Sequence, residues 1–198
     1  MSLPNTAFGV NALPTNSGSA NSAFGFNALL NNTTGVSNSA FGFTTLTANT
    51  TGKYNVAIGD NALQGNTQGV ANTAVGSGSL YTNTTGHNNV AVGANTLFAN
   101  LTGDNNVAVG NGAMNNNSSG DDNNALGFNA LFHNTEGDDN NAIGVLALFA
   151  NTEGKQNNAI GSNALSENDT GDDNNAVGFN TLTNNITGSQ NNAIGSNA

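Results

Sequence analysis

The triplet alanine, bulky apolar residue, glycine recurs at a fixed interval from one end of the chain to the other. It appears as Ala7-Phe8-Gly9, Ala23-Phe24-Gly25, Ala40-Phe41-Gly42, Ala57-Ile58-Gly59 and onward to Ala193-Ile194-Gly195. Of the intervals between the twelve copies, only the first, from Gly9 to Gly25, is 16; from Gly25 to Gly42 and at every later step it is 17. A short fixed period sustained over 198 residues marks a solenoid, in which each repeat is one coil laid on the last. Seventeen residues are too few for helix, turn, strand and return, and apolar residues at helical spacing are absent. The chain is therefore expected to be all-β, a parallel β-solenoid (β-roll) of about eleven 17-residue coils. Residues 1–198 would form a single domain.

With the repeat Gly numbered 0, each coil has the same register. Position +4 is Leu, as in Leu29, Leu46, Leu63, Leu80 and Leu97, and Met114 is the one exception among complete coils. Position −1 is always Phe, Ile, Val or Leu. Two short strands per coil are expected, one around position −1 and one around the Asn-Ala-Leu segment. Leu and the −1 residue would then form two apolar stripes inside. The small residue at +3 (Ala28, Thr45, Ala62, Ser79) would sit where the walls come close. At the strand-pairing distance of about 4.8 Å, eleven coils make a rod of roughly 50 Å. The repeat Gly, and a second series at Gly35, Gly52, Gly69 and onward, belong at bends where only a missing Cβ allows the backbone through.

Asn supplies 43 residues, a composition that by itself suits a disordered, aggregation-prone tract. The register argues otherwise, because a disordered chain has no reason to keep Leu in phase. Two Asn columns never vary. One includes Asn49, Asn66, Asn83, Asn100 and Asn117, and the other Asn55, Asn72, Asn89, Asn106 and Asn123. An amide both donates and accepts, so a stacked column can join coil to coil while holding turn backbone. These columns are read as structural ladders at the corners rather than as a ligand-binding array.

The net charge is −10, and Lys53 and Lys155 are the only basic residues besides two histidines. Such a chain cannot neutralise phosphates, so nucleic acid is excluded as a partner. No apolar run approaches the roughly 18 residues that a membrane span needs, and the start does not read as a signal peptide. A segment of a longer fibre protein, carried outside the cell or on a virion, is the expectation. His87 and His133 occupy different coil positions, and no nucleophile–base pair or phosphate-loop motif occurs, so an enzyme is not expected.

The acids form a sharper pattern. Asp104, Asp121, Asp138 and Asp172 share a column that Lys155 interrupts, and Asp122, Asp139 and Asp173 share the next. Stacked carboxylates repel, and a hard cation such as Ca²⁺ would relieve them. Against this, the G-G-x-G-x-D pattern of Ca²⁺-binding rolls is missing, and a solvated edge explains the same residues. An ice-binding Thr array is the weaker reading: Thr33-Thr34, Thr50-Thr51 and Thr84-Thr85 give way to Leu101, Glu136 and Ile186.

One Leu and a few small residues per coil make a thin core, so a second buried surface is expected. Two aromatic columns could provide it: Phe26, Phe43, Phe128 and Phe179 at +1, and Leu30, Tyr81, Phe98, Phe132 and Phe149 at +5. They are read as a subunit interface, with a receptor-facing patch as the alternative.

The motifs N-V-A-I-G, N-V-A-V-G and N-N-A-V-G resemble the head repeats of YadA-type trimeric autotransporter adhesins. The longer form N-N-A-I-G-S-N-A-L, followed by N-x-T-G, is similar to repeats of phage tail fibres. The resemblance covers Asn5 to Ala198, although the adhesin repeat is shorter and this chain shows no anchor, stalk or chaperone domain. It implies left-handed winding, homotrimeric association and display outside a cell or virion. It also implies a role as a rigid rod that presents groups binding a host glycan or receptor. A self-assembling extracellular matrix or filament protein is the alternative.

Overall fold

The computed structural model describes residues 3–198 and is a single parallel β-solenoid. Twelve three-residue strands run from β1 (Thr6–Phe8) through β6 (Val90–Val92) and β9 (Asn141–Ile143) to β12 (Asn192–Ile194). Each pairs in parallel with the next, so the sheet order is the sequence order. Like positions face each other across every step: Ala74 lies beside Ala91, and Val75 beside Val92. No helix occurs among the described residues.

Each coil contributes one strand, not the two expected. The Asn-Ala-Leu segment cannot be a strand, because two of its three residues hold left-handed backbone. In the sixth coil Asn95 has φ 53° and Leu97 φ 50°, and the pattern repeats along the chain. Two tight turns replace the strand. Ala62 N–H donates to Gly59 O at 3.4 Å, and Asn66 N–H to Leu63 O at 3.2 Å. Adjacent coils remain bonded here even so. Asn95 N–H reaches back to Ser77 O at 2.9 Å, and Leu97 N–H reaches forward to Ala113 O at 3.0 Å.

Leu at +4 is fully buried in every interior coil, and so is the small residue at +3. The −1 residue is not: Ile58 is 43% and Leu126 50% exposed, and the buried strand residue is the Ala between positions −1 and −3. Side chains alternate across a strand, so an inward Ala sends both neighbours outward. The space inside one layer takes a single large side chain, and Leu fills it. This sheet keeps its small residues in and its large ones out.

The two Gly series solve the same crowding problem. Gly93 has φ 136°, and a Cβ there would stand 2.7 Å from Gly110 O of the next coil. Gly52 has no unusual φ, yet its Cβ would lie 2.6 Å from Gly69 O and even closer to Asn49 Oδ1. Backbone passes so near backbone at both bends that only hydrogen fits.

Candidate functional site

Three features run along the rod: buried Asn ladders, an acidic edge and the exposed outer face of the sheet. In the first ladder the Nδ2 of each Asn donates to Oδ1 of the coil before. The distances are 2.7 Å for Asn66 to Asn49, 2.8 Å for Asn83 to Asn66, 2.7 Å for Asn100 to Asn83 and 2.8 Å for Asn117 to Asn100. The same Nδ2 also holds the Gly carbonyl three residues on, as Asn100 does with Gly103 O at 3.0 Å. In the second ladder, Asn55 Oδ1 accepts from the backbone N–H of Asn72 at 2.9 Å, while Asn72 Nδ2 closes onto Gly86 O at 2.7 Å. Asn89, Asn106 and Asn123 repeat that arrangement. All ten of these amides are fully buried, and no buried side-chain polar atom among the described residues lacks a partner. The columns therefore tie coil to coil and offer nothing outward.

The acidic column is also engaged with backbone. Asp104 Oδ1 accepts from His87 N–H at 2.6 Å, Asp121 from Asp104 N–H at 2.7 Å, Asp138 from Asp121 N–H at 2.9 Å and Asp172 from Lys155 N–H at 2.7 Å. His87 does the same with its ring, accepting from Val70 N–H at Nδ1. The role is that of an acceptor for a turn amide that has no partner within its own coil. Lys155 Nζ lies 2.7 Å from Asp138 Oδ2 on the exposed edge, a pair of little energetic weight in water. Asp122, Asp139 and Asp173 occupy a left-handed position with φ of 56–57°, which Asp and Asn tolerate best after Gly, and their side chains are exposed. No group of three or more His, Cys, Asp or Glu among the described residues is placed to hold a metal ion.

Burial pushes the Asp121 carboxyl above its ordinary pKa. Repulsion from Asp104, Asp138 and Asp122 adds to this, and the Asp104 N–H works against it. A raised folded-state value means that Asp121 favours the fold while protonated, below the usual carboxylate pKa of about 3.9. That contribution disappears as pH rises through the folded-state value. Asp121→Asn keeps the Oδ1 acceptor and removes the charge, so it should raise the melting temperature at pH 7 by up to about 2 °C. The gain should vanish at pH 3, and thermal melts at the two pH values check both statements.

The predicted interface aromatics fall into two settings. Phe26, Phe43, Phe128 and Phe179 are 43–52% exposed, and Phe26 stacks on Phe43 at 5.3 Å between ring centres. Leu30, Tyr81, Phe98, Phe132 and Phe149 are half-buried. Tyr81 stacks on Phe98 at 4.8 Å and Phe132 on Phe149 at 5.6 Å, with His133 edge-on to both of the latter rings. The Tyr81 stack borders an open groove of about 450 Å³ shared by Thr47, Gln64, Thr82 and Leu101.

The −1 and −3 columns of the outer sheet face went unread in the sequence as a surface. The signal was present: the invariant Ala between two larger residues is a period-2 pattern with its small member inward. A shallow apolar groove of about 300 Å³ lies on this face between Val107, Val109, Leu126 and Ile143.

Comparison with protein-family models, with curated protein sequences and with solved structures finds no match to the chain. No helix among the described residues is long and apolar enough to cross a membrane.

Proposed function

We propose that the chain is a structural and recognition segment of a trimeric fibre displayed outside a cell or virion, a stiff rod that holds binding groups away from its base. The observation that carries this reading is the unbroken order of twelve paired strands among the described residues, with every buried polar side-chain atom among them satisfied. Such a stack has no hinge, and its length grows with coil number rather than with bulk. The resemblance of its N-V-A-I-G and N-N-A-I-G-S-N-A-L motifs to adhesin heads and tail fibres supports left-handed winding and three-fold association. The groups presented would be the exposed aromatics, with a host glycan or receptor as partner and weak contacts multiplied by display in several copies.

Light scattering on the purified chain, together with electron microscopy, tests the reading. Discrete rods of about 50 Å containing three copies are expected. Open-ended filaments would favour a matrix or filament protein instead, and monomers at micromolar concentration would overturn the fibre.

A further inference from the structure

The outer face of the sheet lacks a partner, and its chemistry says what covers it. Along each strand the invariant Ala is buried while the −1 and −3 residues point away from the core. Position −1 is a continuous apolar column, Ile58, Val75, Val92, Val109, Leu126 and Ile143 in the middle coils alone. A single solenoid gains nothing by placing its larger aliphatic side chains in water and alanine inside.

We propose that this face is the surface on which a second copy of the chain docks, parallel and in register. The inference deepens the fibre reading by naming its contact face. Three observations commit it to a second copy. The first is charge: of 12 acidic and two lysine side chains, none stands at position −1 or −3. Two copies carrying −10 each can approach along this strip without bringing acids together. The second is area. Twelve strands at about 4.8 Å spacing and three residues of about 3.3 Å give a strip of roughly 500 Å² per copy. Two copies then bury about 1,000 Å² in total along this strip alone, the least that a specific interface needs.

The third observation sets direction. The −3 column runs Thr6, Ser22, Ser39, Val56, Thr73, Val90 and Val107, and then is Asn throughout, from Asn124 to Asn192. Parallel packing sets each residue against its own kind, whether hydroxyl, aliphatic or amide. An antiparallel arrangement would press Val56 against Asn141 and leave amide groups facing methyls, at a desolvation cost. The Asn half is already prepared for burial, because Asn141 Nδ2 donates to Asn158 Oδ1 at 2.8 Å, and Asn158 Nδ2 to Asn175 Oδ1 at 2.7 Å.

The chain has no cysteine, so single thiols report contacts cleanly. Ile58→Cys and Ile143→Cys are made separately and oxidised, alone and as a mixture. Each should form an intermolecular disulfide with itself in the greater part of the protein. Cross-linking only in the mixture would overturn the parallel arrangement, and no cross-linking in either would overturn the face. In parallel, Val92→Asp with Ile143→Asp should reduce the assembly to monomers with an unchanged circular dichroism spectrum. Tyr81→Asp, which lies off this face, should leave the assembly intact. An assembled wild type that survives the double substitution sinks this face and leaves the fibre reading standing. A wild type that is monomeric sinks both.

Discussion

Replacing Asn100 with leucine is expected to destabilise the solenoid by about 2–4 kcal/mol, for one orphaned buried group and two more that each lose a bond. Leucine is apolar, of similar size and enters a fully buried site, so the loss arises from what stays behind. Asn83 Oδ1 loses the donor that stands 2.7 Å away, Gly103 O loses the Nδ2 at 3.0 Å, and Asn117 Nδ2 loses its acceptor at 2.8 Å. Asn83 Oδ1 alone is left with no partner, at about 1–3 kcal/mol, whereas Asn117 Nδ2 still reaches Gly120 O and Gly103 O still accepts from Asn89 Nδ2 at 2.7 Å, so each of those two loses one bond and keeps another. At about 2–4 °C per kcal/mol for a chain of this size, the melting temperature should fall by at least about 4 °C. Asn100→Asp should be worse. It replaces the donor with a second acceptor aimed at Asn83 Oδ1 and Gly103 O, and it buries a charge. Position along the rod is a further check. Asn185 makes the same bond, to Asn168 Oδ1 at 2.8 Å, but is only half-buried, so water can reach what Asn185→Leu leaves behind and the cost should be visibly less. A loss under about 1 kcal/mol at Asn100, in denaturant melts followed by circular dichroism, would mean that the ladder is dispensable.

The same columns show what a sequence of this kind discloses. Coil length, stacking direction and the invariance of the amides all follow from one repeating register, because like positions stack on like. Any position that never varies is one where every layer needs the same atoms. Asn49 and Asn55 could be placed at corners from that argument alone. What the register could not disclose was handedness at single residues. Leu97 reads as a strand residue by composition and neighbours, yet it sits at φ 50° in a turn, and that removed the second strand. The inward or outward sense of the remaining strand was legible in principle, since Ala at the centre of Val-Ala-Val leaves one assignment for an interior this narrow. The expectation that larger apolar residues belong inside overrode it. The acid column was ambiguous for another reason. Asp, His and Ser share no charge, and only geometry shows that each accepts a backbone N–H from the coil before.

The left-handed Leu column carries the final prediction, because it reverses an ordinary ranking. Leu97→Ala removes the only large side chain in its layer and should cost about 2–5 kcal/mol. Glycine at a buried site is normally worse than alanine by about 0.5–1 kcal/mol, through the extra freedom it gives the unfolded chain. At φ 50° every L-residue carries a steric penalty of about 1–2 kcal/mol that glycine does not. The balance favours Leu97→Gly over Leu97→Ala by about 0.5–1 kcal/mol once the entropy term is subtracted. Leu97→Met should fall within about 1.5 kcal/mol of wild type, as the sequence itself anticipates with a fully buried Met114 at the equivalent position and the same φ of 50°. Leu97→Val removes a single methylene but places a branched Cβ in the left-handed region, so it should cost more than Leu97→Met. Equilibrium unfolding of the four variants gives the order Met, then Gly above Ala, with Val below Met. Alanine more stable than glycine would show that the left-handed turn is not where the Leu column sits in solution, and the one-strand coil would fail with it.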